Sequence, residues 1–272
     1  MRVSSSGAVD RPEPVPLHVL TINLWGDNPP LAKRMSGLIA YLRRERPHVV
    51  ALQEVAKLSD RSQADDLAEA CGYVAYHVDT GRLLWPGEGL ALLTQLPADA
   101  APTIPLPHGL EDAHLRALQQ LDVQMPEGAV VRVANTHLAF PLGASRLRQQ
   151  QAERILEELE GFAGPAVVVG DLNDVIGSRP LRVLTDAGFL DCYGAVHEEE
   201  CWTFHPANAY AEQTELLERR VDHVLARGLE IVDAAVVLTG QEEPVVSDHY
   251  GVRATLEGPR DAAAGAGTGS VG

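Results

Sequence analysis

Apolar runs of strand length alternate along this chain with amphipathic stretches of helical period. Residues 17–24, 48–55, 90–94 and 166–169 are rich in Leu, Val, Ile and Ala, as strands buried on both faces are. After the start signal Asp27-Asn28-Pro29-Pro30, Leu31, Met35, Leu38, Ile39 and Leu42 recur at helical spacing through Arg46, and Pro47 stops the helix. A short helix around 63–71 precedes a strand at 73–78, and the Pro-rich stretch 97–107 reads as loop or edge strand. Residues 114–124 and 129–137 flank Met125-Pro126-Glu127-Gly128 as the arms of a hairpin. The run 145–160 is helical, with Leu147, Ile155, Leu156 and Leu159 on one side. Ser178 can cap a further helix with Pro180 in its first turn and Gly188 at its end. Beyond Cys201 strands dominate, at 220–225, 231–238 and 252–256.

This alternation predicts a single α/β domain over residues 17–257, and 272 residues suffice for one large core. The Ser/Gly/Pro-rich residues 1–16 and the Gly/Ala-rich residues 258–272 are expected to be disordered tails. No repeat at a fixed period and no linker divides the chain between them.

Polar residues with ligand or acid/base capacity interrupt this apolar pattern where strands run out. The most informative stretch is Ala166-Val167-Val168-Val169-Gly170-Asp171-Leu172-Asn173-Asp174. Three β-branched valines read as a buried strand, and the glycine lets the backbone pass where a side chain would obstruct. Asp171 and Asn173 share a face if the backbone stays extended, which would aim both into one site. The same residues also suit a strand followed by an Asx-turn. Asn23 ends the first strand, Glu54 the second, and His137 the second hairpin arm, while Asp248 and His249 precede the last strand. Asp222 lies inside an otherwise apolar strand, where an unpaired carboxylate is costly. Singly, each residue has an ordinary structural explanation, but a shared rim of strand ends would let them converge.

In that order, Asn23, Leu52-Gln53-Glu54-Val55, Asn135-Thr136-His137-Leu138, Gly170-Asp171-Leu172-Asn173, Arg220-Val221-Asp222-His223 and Ser247-Asp248-His249 resemble the motifs of the endonuclease/exonuclease/phosphatase superfamily. The resemblance covers nearly the whole chain. It implies a four-layer α/β sandwich, two mixed β-sheets packed face to face with helices outside, and phosphoester hydrolysis with a divalent metal. Carried over, Glu54 corresponds to the metal-binding glutamate and Asn23 to the asparagine that helps hold metal or metal-bound water. Asp171 and Asp248 complete the expected metal set, Asp248 corresponding to a metal-side or histidine-side carboxylate. Asp171 also orients or deprotonates the attacking water, Asn173 steadies phosphate oxygens, and His249 acts on the phosphate with Asp222 hydrogen-bonded behind it. His137 corresponds to a second phosphate-contacting histidine, and Arg116 lies where several members carry a phosphate-contacting arginine, although an ordinary surface arginine fits it equally. Oxygen ligands of this kind suit Mg²⁺, with Mn²⁺ as substitute. The abasic-site branch has an aspartate where this chain has Trp25, whereas Asn23-Leu24-Trp25-Gly26 resembles neutral sphingomyelinases and uncharacterised bacterial members.

Charge bears on the partner. With 38 acidic and 22 basic residues the net charge is −16, which opposes attraction to polyanions. The expected substrate is therefore a small-molecule or lipid phosphoester, and a deoxyribonuclease-like endonuclease is the alternative. The three cysteines, Cys71, Cys192 and Cys201, have no CxxC spacing and read as reduced thiols of a cytoplasmic protein. No apolar run is long enough to span a membrane, and neither a signal peptide nor an oligomeric state is indicated.

Overall fold

The computed structural model describes residues 15–58, 60–80, 88–211 and 218–258, so the two expected tails lie almost wholly outside the described residues. In chain order the elements are β1 (Leu17–Asn23), α1 (Leu31–Glu45), β2 (Val49–Leu58), β3 (Arg61–Ser62), α2 (Gln63–Cys71), β4 (Val74–Asp79) and β5 (Glu88–Thr94). Then come β6 (Ala98–Ala100), β7 (Ile104–Pro105), β8 (Ala117–Gln124), β9 (Val130–His137), α3 (Ser145–Glu160) and β10 (Ala166–Asp171). The chain continues through α4 (Arg179–Asp186), β11 (Leu190–Asp191), α5 (Cys192–Val196), β12 (Asp222–Arg227), β13 (Glu230–Val237) and β14 (Gly251–Glu257).

Among the described residues these strands make two seven-stranded sheets. The first runs β13-β14-β1-β2-β5-β4 with β3 on β2, and the second β11-β12-β10-β9-β8-β6 with β7 on β8. Both are mixed: β1 and β2 pair in parallel through α1, β9 and β10 through α3, and the remaining ladders are antiparallel.

The alternation of side chains along each strand builds the layers. Val167 and Val169 face the other sheet and meet Val19, Val49, Leu92 and Val252 there. Val168 points the opposite way, into the apolar side of α3 and α4 with Ile155, Leu159, Leu181 and Leu184. On the far side, Leu20, Ile22, Val50 and Leu52 pack against Leu38 and Leu42 of α1 and Leu67 of α2. Helices, sheet, sheet and helices thus form the four expected layers. Each fully buried Val or Leu contributes roughly 1.5–3 kcal/mol.

Two local readings are corrected. Strand β2 does not end at Glu54 but continues to Leu58 through a β-bulge between Leu52 and Val55, where Glu54 takes a φ of 49°. Asp222 is the first residue of β12 rather than an interior one. The short helix α5, capped by Asp191, lies just before the strand-dominated stretch beyond Cys201; its five residues are too few for a period to register.

Candidate active site

Following the faces that meet between the sheets, each strand begins apolar and finishes polar. Strand β1 runs Leu17, Val19, Thr21, Asn23; β9 runs Val131, Val133, Asn135, His137; β10 runs Val167, Val169, Asp171. The transition starts with a buried belt. Gln53 donates to Asn135 Oδ1 (2.8 Å) and Thr21 Oγ (3.1 Å), and Asn135 donates to the carbonyls of Leu52 (3.0 Å) and Ala91 (3.1 Å). These bonds tie one sheet to the other directly beneath the rim. In the sequence both residues stand only as parts of motifs, and their pairing across 82 residues exists only in the fold.

Above the belt, register aligns the reactive groups. Asp171 pairs with His137 on one side and Asp222 on the other, so three adjacent strands present one row. Gly170 makes the row compact: its φ is 141°, and a Cβ there would lie 1.9 Å from Thr136 O. From the opposite sheet, Asn23 Nδ2 lies 3.1 Å from both Glu54 Oε1 and Asp171 Oδ2, while Asn23 Oδ1 accepts the Trp25 N–H (2.9 Å). The bulge at Glu54 re-aims its carboxylate toward this amide; bulges commonly re-aim side chains beside active sites.

His249 completes the cluster. Its Nδ1 is 2.8 Å from Asp222 Oδ2 and 3.8 Å from Asp171 Oδ2, which itself stands 3.4 Å from His137 Nε2. Thr203 Oγ accepts the backbone N–H groups of Val221 (3.0 Å) and Asp222 (3.1 Å), and the Phe204 ring packs 5.1 Å from the His249 ring. Ser247 Oγ donates to Asp248 Oδ1 (3.1 Å) and accepts the His249 N–H (3.2 Å). Thr203, Phe204 and Ser247 went unnoticed as supports because their partners are distant in sequence or are backbone groups.

The Asx-turn reading of the Asp171 stretch holds, and the extended backbone that would put Asp171 and Asn173 on one face does not continue to Asn173, whose φ is 52°. Asp171 Oδ1 accepts the Asn173 N–H (3.0 Å) as an Asx-turn requires, leaving Oδ2 for the site. Asn173, at φ 52°, donates one amide hydrogen to Leu138 O (3.1 Å). Arg116 is buried rather than a surface residue. Its Nε is braced by Asp112 Oδ2 (2.8 Å), and it lines one cleft with Glu54, Gly89, His114 and His137.

Electrostatics sort these groups. Burial pushes Glu54 up to about 7, with Asp248 and Glu88 adding to it and Asn23 opposing. Burial and then Asp222 raise Asp171 to about 6. Burial likewise raises Asp248. His137 is pulled well below its ordinary value by burial and by Arg116, so it stays neutral. Burial also acts to lower His249, but Asp222, Asp171 and Asp248 outweigh it and hold the imidazolium well above its ordinary value. Two histidines of one site are thereby driven toward opposite charge states.

The donor set has the chemistry of a cation site. Four carboxylates, Glu54, Asp171, Asp222 and Asp248, gather around one imidazolium, and Asp222 Oδ1 is buried without a hydrogen-bond partner among the described residues. Among the described residues the group whose atoms all lie within 4.8 Å of one another is Asp171, Asp222 and His249, which shares only Asp171 with the expected metal set of Asn23, Glu54, Asp171 and Asp248. Hard oxygen donors with excess negative charge fit a divalent cation.

Comparison with known proteins bears on the family and the fold. The family model described as Endonuclease/Exonuclease/phosphatase family matches residues 20–249. An endonuclease/exonuclease/phosphatase from Beutenbergia cavernae DSM 12333 is similar at 24% identity, over 89% of this chain and 71% of that one, with a TM-score of 0.73. The human Nocturnin catalytic domain with bound sulfate is similar at 18% identity, over 89% and 93% of the two chains, with a TM-score of 0.69. D. rerio TDP2 complexed with single strand DNA product gives 20% identity, 89% and 98% coverage and a TM-score of 0.68. At these identities the likeness is one of fold. Protein angel of Drosophila melanogaster is 46% identical over 54 residues, a stretch amounting to 19% of this chain and 15% of that protein.

Proposed function

Because the chain belongs to the endonuclease/exonuclease/phosphatase family, whose members are typically metal-dependent phosphoester hydrolases, we propose that it hydrolyses a small-molecule or lipid phosphoester by attack of an activated water. The observation that carries this reading is the convergence of Asn23, Glu54, His137, Asp171, Asp222 and His249 from two sheets onto one rim.

Glu54, with Asn23, Asp171 and Asp248, would hold Mg²⁺ or its substitute Mn²⁺. When bound, the ion supplies positive charge to the phosphate oxygens. Asp171 Oδ2 orients the attacking water and takes its proton, a task suited to a carboxylate raised to about 6. The charged His249 stabilises the phosphate as negative charge grows on it; Asp222 accepts its Nδ1–H, orienting the ring and leaving Nε2–H for substrate. Neutral His137, the second amide hydrogen of Asn173 and Arg116 complete the phosphate-facing set. The three cysteines form no disulfide, which suits a reducing compartment such as the cytoplasm.

A deoxyribonuclease-like endonuclease is the second reading, favoured by the fold shared with D. rerio TDP2. The net charge of −16 argues against a polyanionic partner. A hydrolysis screen with Mg²⁺ and with Mn²⁺ across sphingomyelin, nucleotides, inositol phosphates and supercoiled plasmid separates the readings. Turnover of a small or lipid phosphoester with poor plasmid nicking supports the first. Efficient nicking that weakens steeply with salt supports the second.

A further inference from the structure

Two buried arginines occupy the same place in two equivalent units. β1, α1 and β2 form a parallel pair joined by a helix in one sheet, and β9, α3 and β10 repeat that arrangement in the other. Arg34 is the fourth residue of α1 and Arg148 the fourth of α3, and each is only 2% exposed.

Each guanidinium spans two loops that carry site residues. Arg34 donates to Leu24 O (2.6 Å), Gly26 O (3.1 Å) and Asn28 O (3.1 Å), in the loop that follows Asn23. It also donates to Val246 O (3.2 Å), two residues before Asp248. Arg148 donates to Ala139 O (2.8 Å), Pro141 O (2.8 Å) and Leu142 O (3.3 Å), in the loop that follows His137. Its Nε donates to Asp174 Oδ2 (2.8 Å), in the residue after Asn173.

Packing alone does not account for these residues, since an apolar side chain of similar volume fills such space without desolvating a charge. A planar fork with five donors can instead fix several carbonyls at once. We propose that Arg34 and Arg148 are positioning residues with divided tasks. Arg34 sets the Asn23 loop against the Asp248 loop and so the metal-holding groups. Arg148 sets the His137 loop against Asp174 and so the phosphate-facing His137 and Asn173, while the metal-side Asp171 is held in β10 by its ladders to β9 and β12. This division rests on the functional reading above.

The test uses Arg34→Lys and Arg148→Lys in the full chain, which keep the charge and lose the fork, each first checked for cooperative unfolding. Mn²⁺ affinity is read from the paramagnetic resonance of free Mn²⁺, without turnover, and kcat and KM are read at saturating metal. Arg34→Lys should weaken Mn²⁺ binding by roughly 10- to 100-fold, the effect of losing a residue that supports metal ligands, with most of kcat recovered at saturation. Arg148→Lys should leave Mn²⁺ binding nearly unchanged and lower kcat by up to about 100-fold, as a misplaced reacting group does. If either lysine variant fails to fold, Arg34→Gln and Asp174→Asn carry the same readouts. Parallel losses in both quantities, or none in either, with wild-type binding and turnover intact, overturn the division. A wild-type chain that bound no Mn²⁺ and hydrolysed no phosphoester would instead remove the functional reading on which it rests.

Discussion

His249 Nδ1 lies 2.8 Å from Asp222 Oδ2, and the other oxygen of that buried carboxylate has no hydrogen-bond partner among the described residues. The pair should therefore act as one unit. His249→Ala is expected to lower kcat by roughly 10²–10⁴, the range for a general acid/base or a charge contact in the transition state. Asp222→Asn should cost less, because the shape is kept and only the support of the imidazolium is weakened. The double variant should be little worse than His249→Ala, whereas fully additive losses in kcat would show that the two act separately.

Glu54 should trade stability for metal binding. Its folded-state pKa of about 7 exceeds that of an ordinary carboxyl, so the neutral form is favoured on folding. That stability is fully present below the unfolded value and is lost as pH rises through 7. Without metal at pH 8, Glu54→Gln should therefore raise Tm, and the Tm gain on adding Mg²⁺ should shrink. A lower metal-free Tm with an unchanged Mg²⁺ response would contradict this role.

Stability toward acid should depend on His223. It is fully buried, donating from Nε2 to Asp174 O (2.9 Å) and presenting Nδ1 to Arg220 Nη1 (3.0 Å), so no site remains for a second proton. Burial, reinforced by Arg220, lowers its pKa to about 4. The unfolded chain binds a proton near pH 6.5 and the folded chain does not, so stability present above 6.5 is lost as pH falls toward 4, by roughly 3 kcal/mol. His223→Gln should flatten denaturant midpoints measured across that window. An unchanged slope would place the acid sensitivity elsewhere.

Gly170→Ala should be severe although it adds one methyl. The φ of 141° already disfavours a side chain, and the new Cβ would meet Thr136 O at 1.9 Å in the strand that carries His137. A loss of at least about 2 kcal/mol is expected from strain and overpacking. A denaturant midpoint within error of wild type would mean that the strands can part without cost.

Strand ends were legible where apolar runs of strand length give way to polar residues, at Asn23, at Asn135 to His137 and at Asp171. The helices at 31–46 and 145–160 were legible because their apolar positions recur over several turns. What escaped was set by long-range geometry. Nothing local marks the bulge that keeps Glu54 inside β2, since a positive φ there is imposed by pairing with β5. Nor could spacing reveal that Arg116 is buried against Asp112, or that Arg34 and Arg148 hold site loops, because most of their partners are backbone carbonyls. The bond from Gln53 to Asn135 spans 82 residues, and only the folded sandwich brings them together.

The central claim is that water, activated at Asp171, attacks phosphorus. The most direct measurement is hydrolysis of the best substrate from the screen in ¹⁸O-enriched water with Mg²⁺, followed by mass spectrometry of both products after a single turnover. The account predicts one solvent oxygen in the phosphate product and none in the alcohol, with the signal lost in Asp171→Asn and on chelation. Label in the alcohol, or full turnover by Asp171→Asn, would contradict it.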